Sequence, residues 1–287
     1  MKQIVAKHGG KFRAAFILFL LTMVYGFFIE PEWIVVRHVE LSPNPRYRLV
    51  HISDIHYKGG EAYFNRITDK IKTLSPDFVC ITGDIVDDAR YLGEVLRLLE
   101  KIPYPVFGVP GNHEYLSNVS FDEISRAFRK TGGEWLTNER VYFGGDRLEI
   151  VGAAISEYRF LFDDDSVSPP ETFRTGREKN PGRFSHKNFE QATGNRVVGK
   201  RILLAHYPAF GAGVAPGNFD IILSGHSHGG QIRLPIIGAL ILPPEVGEYD
   251  RGLFKTDAGP LYVNPGIGTY AIHARLFCRP EITVIAF

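Results

Sequence analysis

Short apolar runs punctuate the chain from residue 49 onward: Leu49–Ile52, Phe78–Ile81, Val106–Val109, Ile202–Ala205 and Ile221–Leu223. Runs of this length, bounded by polar clusters, predict strands buried on both faces. Glu61–Leu74 and Arg90–Ile102 have helical periodicity, the second with Leu92, Val95, Leu96 and Leu99 on one face. Phe121–Lys130 predicts a third, shorter helix. The order βαβαβα predicts an α/β fold with a partly parallel sheet. Val141–Phe143, Arg147–Val151, Leu253–Thr256, Leu261–Val263 and Ile282–Phe287 read as strands joined by short turns. They predict a second, more antiparallel sheet packed on the first. Residues 156–200 break the pattern with prolines, glycines and charges of both signs. This irregular insert reads either as a solvated flap or as a basic cap that receives phosphate.

A different pattern precedes these elements. Ala14–Ile29 is an uncharged apolar run, preceded by Lys2, Lys7, Lys11 and Arg13 and followed by Glu30. Its helical length of about 24 Å falls short of a hydrocarbon core of about 30 Å. Tyr25, Trp33 and a snorkelling Arg13 can cover the difference. The segment Gly26–Pro31 lacks the small-residue cleavage pattern of a signal peptide. The basic residues ahead of the run speak against a core helix. The expected division is a membrane anchor over residues 1–32 and one domain over 33–287. Basic residues stay on the cytoplasmic side, which puts the bulk of the chain outside; Arg37, Arg46 and Arg48 on the far side oppose this.

Composition narrows the function. Thirty-three Lys and Arg against 32 Asp and Glu leave a net charge of +1, without the basic excess of a nucleic-acid binder. Two cysteines, Cys80 and Cys278, exclude a disulfide scaffold and a cysteine-based zinc framework. With 44% hydrophobic and 23% charged residues, the chain can bury a sizeable core.

The chemistry gathers where the apolar runs stop. The five runs lead into Asp54-Ile55-His56, Gly83-Asp84-Ile85-Val86-Asp87, Gly111-Asn112-His113-Glu114, His206, and Gly225-His226-Ser227-His228-Gly229-Gly230. Ligands of open α/β sheets bind outside the carboxyl ends of strands, so these clusters are expected to share one crevice. On extended backbone, residues i and i+2 point the same way. Asp54 with His56, and His226 with His228, could then each grip one ion. The glycines at 83, 111, 225, 229 and 230 would allow tight turns there. Asp54, His56, Asp84, Asn112, His206, His226 and His228 pool three oxygen donors and four imidazoles. That is more than one tetrahedral ion needs and fits two ions sharing a carboxylate. Manganese, iron or zinc suits such a mixed set.

D-x-H, G-D-x-x-D, G-N-H-[DE], a lone histidine after a strand and G-H-x-H, in this order, resemble the calcineurin-like metallophosphoesterases. The resemblance runs from about residue 47 to the C-terminus. It implies a four-layer αββα sandwich of two mixed sheets with a dinuclear site between strand ends. Carried over by motif, Asp54, His56, Asp84 and His228 would hold one metal. Asp84, Asn112, His206 and His226 would hold the other, with Asp84 bridging. His113 would face the scissile phosphate as general acid or transition-state stabiliser, and Asp87 would orient it. Hydroxide held between the metals would attack phosphorus in line. Glu114 reads as a supporting or turn residue, Asn264 as a turn residue and His51 as packed rather than catalytic.

Asp88 stands where phosphoprotein phosphatases carry arginine, which speaks against that branch. The anchor, Gly229-Gly230-Gln231 and the apolar loop Leu234–Pro244 together resemble the bacterial membrane-anchored phosphodiesterases. Relatives of that subgroup include UDP-2,3-diacylglucosamine pyrophosphatases. The expected substrate is therefore a lipid-linked phosphodiester or pyrophosphate at the bacterial inner membrane, with no nucleic-acid partner. A nucleotide-linked lipid precursor would put the domain on the cytosolic face. The alternatives are an exported general phosphoesterase of the cell envelope and a non-catalytic, membrane-tethered metal-binding scaffold.

Overall fold

A computed structural model of the chain describes residues 2–145, 147–154, 199–213, 218–243 and 246–287. Most of the insert, and with it the cap reading, lies outside these residues. Helical backbone runs unbroken from α1 (Lys2–Val24) through a π turn (Tyr25–Ile29) and a 3₁₀ turn (Glu30–Glu32). Within it, Lys11–Glu32 (22 residues) is long and apolar enough to cross a membrane, its most apolar 18-residue stretch having a mean hydropathy of 2.1. Only 6% of this stretch is buried, unlike a core helix.

Two six-stranded sheets form the body. The first contains β1 (Val35–Glu40), β2 (Arg48–Ile52), β3 (Phe78–Ile81), β4 (Val106–Gly108), β5 (Glu134–Trp135) and β14 (Glu281–Ala286), in the order β1-β14-β2-β3-β4-β5. β2 to β5 run parallel. The second contains β6 (Arg140–Phe143), β7 (Leu148–Ala153), β8 (Lys200–Ala205), β9 (Ile221–Ser224), β12 (Gly252–Thr256) and β13 (Gly259–Val263), in the order β12-β13-β9-β8-β7-β6.

Two expectations need correction. The last strand belongs to the first sheet, wedged between β1 and β2. The second sheet is parallel through β13, β9, β8 and β7, and antiparallel only in its two outermost pairs. Short turns do give hairpins at β6–β7 and β12–β13, but the inner pairs β7–β8, β8–β9 and β9–β13 join segments further apart in the chain.

Side-chain alternation sorts the core into layers. Val50, Ile52, Val79 and Ile81 pack towards α2 (Glu61–Leu74), α3 (Leu92–Leu99) and α5 (Phe121–Lys130). Leu49, Phe78, Cys80 and Phe107 meet Ile150, Ile202, Leu204, Ile221 and Leu223 between the sheets. Leu203, Ala205 and Ile222 face outward from the second sheet. Both faces of the central strands are thus buried, which is why they read as continuous apolar runs. Among the described residues the fourth layer is one short helix, Pro208–Ala212.

The foot of the apolar helix is docked to the body. Glu30 is fully buried and accepts from the backbone of Phe277 (2.9 Å) and Cys278 (2.5 Å). The Arg275 amide donates to Gly26 O (2.8 Å), and the Arg279 guanidinium lies 3.7 Å from the Trp33 ring centre.

Candidate active site

All nine residues singled out for ligation or catalysis lie beyond the carboxyl ends of strands. Asp54 and His56 follow β2, and Asp84 and Asp87 follow β3. Asn112 and His113 open α4 (Asn112–Leu116) after β4. His206 follows β8, while His226 and His228 follow β9. The crevice therefore takes side chains from both sheets. The seven candidate ligands are all at most 8% exposed.

They form two clusters that meet at one carboxylate. Asp54, His56 and His228 make one group; Asp84, His206 and His226 make the other. His56 Nε2 lies 3.0 Å from His228 Nε2, and His228 Nε2 lies 3.6 Å from Asp54 Oδ1. His206 Nε2 lies 3.1 Å from Asn112 Oδ1 and 3.2 Å from His226 Nδ1. Asp84 Oδ2 stands between the groups, 3.5 Å from His56 Nε2 and 3.4 Å from His206 Nε2. Two donors about 2.1 Å from one ion and 90–109° apart are about 3.0–3.4 Å from each other. Without an ion, nitrogens facing each other at 3.0 Å need one protonated and one bare ring edge; the spacing equally matches two donors on one divalent cation.

Supporting contacts settle which ring nitrogens face the clusters. His56 Nδ1 donates to Asp87 Oδ1, leaving Nε2 inward. His206 Nδ1 donates to Thr82 O at 2.7 Å, with the same effect. The backbone N–H of His226 donates to both carboxyl oxygens of Asp54, at 3.0 and 3.1 Å.

The local backbone differs from the extended reading. Asp54, His56, Asp84, His226 and His228 all have positive φ, between 43° and 65°. The left-handed region is costly for these residue types, about 1–3 kcal/mol each, and such strain concentrates at functional sites. The chain therefore turns at each position. Asp54 and His56 still reach one cluster, but His226 and His228 separate into two. Gly111 and Gly225 serve by leaving space: a Cβ would fall on Asp84 Oδ1 at the first and on Ser53 Oγ and Asp54 Oδ2 at the second.

Charge is unevenly shared. Burial pulls His206 down, but Asp84 and Asp54 outweigh it and hold the ring up at about 10. Burial lowers His228, and His56 and Arg275 lower it further. Burial raises Asp54, whereas the imidazoles around Asp84 overcome burial and hold that carboxyl well below its usual range.

His113 sits at the rim. Its Nδ1 is 2.8 Å from Asp87 Oδ1, and this contact raises its pKa against the pull of burial. Asp87 serves His113 and His56 together. Lys58 Nζ is 2.7 Å from its other oxygen.

Glu114 has a definite part. It is fully buried and accepts from the amides of Gly111 (2.7 Å), Asp84 (2.9 Å) and Ile85 (2.6 Å). It thereby ties the β3 and β4 turns together. Asn264 does more than turn the chain: its amide donates to His51 O (3.1 Å) and Thr283 Oγ1 (3.0 Å). His51 is buried and contacts Thr82 Oγ1 at 2.9 Å, away from the clusters. Lys58 and Tyr270 were missed, since a lone lysine and a lone tyrosine in loops carry no spacing signal.

Residues 47–230 match the family model described as calcineurin-like phosphoesterase. The chain belongs to the calcineurin-like phosphoesterase family. Its members are metal-dependent phosphoester hydrolases, and the chain is one. Phosphodiesterase YaeI of Escherichia coli is 37% identical over 276 residues, covering 91% of each protein. UDP-2,3-diacylglucosamine pyrophosphatase LpxG of Chlamydia trachomatis is 27% identical over 311 residues, covering 93% of each. Metallophosphoesterase YkuE of Bacillus subtilis is 29% identical over 251 residues, covering 83% of this chain and 78% of that one. The family assignment removes the non-catalytic scaffold reading.

Proposed function

We propose that this phosphoesterase cleaves a phosphodiester or pyrophosphate bond in a lipid-linked substrate such as UDP-2,3-diacylglucosamine, while tethered to the bacterial inner membrane by residues 1–32. Asp54, His56, Asp84 and His228 would hold one divalent cation, and Asp84, Asn112, His206 and His226 the second, with Asp84 common to both sets. Manganese suits the mixed donor set, with iron and zinc as alternatives. Bound cations supply activation of water and neutralisation of phosphoryl charge. Asp87 secures His113 Nδ1 and favours the protonated ring, whose Nε2 would donate to the departing oxygen.

The observation that carries the lipid reading is the loop after His228. Ile236 and Ile237, at the tip of a small hairpin of β10 (Arg233–Leu234) and β11 (Gly238–Ala239), are 108% and 72% exposed, and Ile241 just after it is 80% exposed. Exposed apolar patches of this kind mark membrane or ligand contacts. The apolar helix docks through Glu30 to Phe277 and Cys278, and Cys278 Sγ donates to His228 O at 3.3 Å. Tether, loop and catalytic crevice thus share one side of the molecule.

The test is UMP release from UDP-2,3-diacylglucosamine in mixed micelles with Mn²⁺, with Asp84→Ala as blank. Release supports the reading and puts the domain on the cytosolic face. Its absence, with an aryl diester still cleaved, favours an exported envelope phosphodiesterase. Lys2, Lys7, Lys11 and Arg13 ahead of the apolar run support that second reading.

A further inference from the structure

The triplet Gly229-Gly230-Gln231 has no part in the chemistry above, yet Gln231 is unusually engaged. It adopts φ 53°, three residues after His228. Its side-chain oxygen accepts from the Tyr270 amide (2.8 Å), and its amide nitrogen donates to Tyr270 O (3.2 Å) and Ile272 O (3.0 Å). Its backbone carbonyl accepts from Leu276 N (3.0 Å). One glutamine therefore grips the 270–276 strap at both ends.

The residue gripped most tightly is Tyr270. Its ring centre lies 5.0 Å from that of His113, 5.7 Å from His56 and 6.3 Å from His228. Half of the residue, 51%, is exposed. An aromatic ring thus stands beside the rim histidine and remains open to a ligand.

We propose that Tyr270 is a specificity-determining residue, stacking a planar aromatic substituent of the phosphoester, and that Gln231 is the positioning residue holding it there. In a uridine-linked substrate that substituent is the base. Aromatic faces recognise planar rings by stacking with little demand for hydrogen bonds. The hydrogen bonds made by Gln231 go to backbone, so they set the path of the strap. The inference rests on the phosphoesterase site proposed above and adds which organic groups it favours.

The probes are phenylphosphonate and methylphosphonate, titrated calorimetrically into the full-length, Mn²⁺-loaded protein in detergent micelles. The parent is expected to bind phenylphosphonate about tenfold more tightly. Tyr270→Ala should abolish that preference and Tyr270→Phe should restore it. Gln231→Leu should lose the preference at undiminished metal content, measured by mass spectrometry. A phenyl-to-methyl ratio unaltered by Tyr270→Ala overturns the role of Tyr270. Loss of bound metal from Gln231→Leu overturns the positioning role, because it would show that Gln231 supports His228 instead. Binding is read without turnover, so failure here is separable from absence of UMP release.

Discussion

At the residue scale, two histidines show how environment divides one side-chain type. His113 has Asp87 on Nδ1 and keeps part of its side chain exposed at the rim. His113→Ala should therefore lower kcat on an aryl phosphodiester by about 10²–10⁴-fold, with bound metal retained. A loss confined to KM would refute the proton-donor role. His51 has no such carboxylate. Burial alone drives it down to about 3, so the folded protein keeps it neutral. The unfolded chain protonates it near 6.5. Between those values the unfolded state binds the extra proton, so stability falls as pH drops from about 6.5 towards 3. His51→Gln should flatten that acid limb in urea midpoints measured across the range. Parallel limbs in parent and variant would mean that other groups set the acid lability.

At the element scale, the hairpin after His228 and the foot of the apolar helix act as one unit through the 270–279 strap. Ile232 bridges to Leu276, Gln231 holds Tyr270, and Glu30 holds Phe277 and Cys278. The charge pair Ile237→Asp with Ile241→Asp tests what the exposed hairpin meets. Neither side chain supports the core, so folding should persist. Turnover of a micellar lipid diester should drop at least tenfold relative to a soluble aryl diester. Equal losses on both substrates would detach the hairpin from lipid recognition.

At the scale of the whole molecule, the candidate ligands divide between sheets. Asp54, His56, Asp84 and Asn112 extend from the first, and His206, His226 and His228 from the second. Cations held there would pin the two layers together at one edge. Ligands that bind only the folded state raise stability by mass action, about 4 kcal/mol at a thousandfold excess over Kd. Mn²⁺ should accordingly raise the Tm by about 5–10 °C in a scanning measurement. A chelator should reverse the rise, and Asp84→Ala should abolish it. An unchanged Tm in the parent would mean that Mn²⁺ does not bind the folded protein in preference to the unfolded chain.

Much of this was legible in the chain itself. Strands buried on both faces must be apolar throughout, so β2, β3, β4, β8 and β9 stood out. Chemistry at their carboxyl ends then appeared as polar punctuation, which singled out the nine candidate residues that the fold brings to one crevice. The amphipathic stripes of Glu61–Leu74 and Phe121–Lys130 marked α2 and α5 to the residue. β1 escaped, because Arg37, His38 and Glu40 give an edge strand no continuous apolar run. Partnership was decided only in three dimensions. Local pattern cannot say that β14 slots between β1 and β2, because that pairing joins residues more than two hundred positions apart. Nor could spacing assign His226 and His228 to different clusters, since left-handed turns replaced the extended backbone that spacing assumes. Glu30 reads as the polar end of an apolar run. It became a buried latch because the fold brought two unpaired backbone amides to its carboxylate.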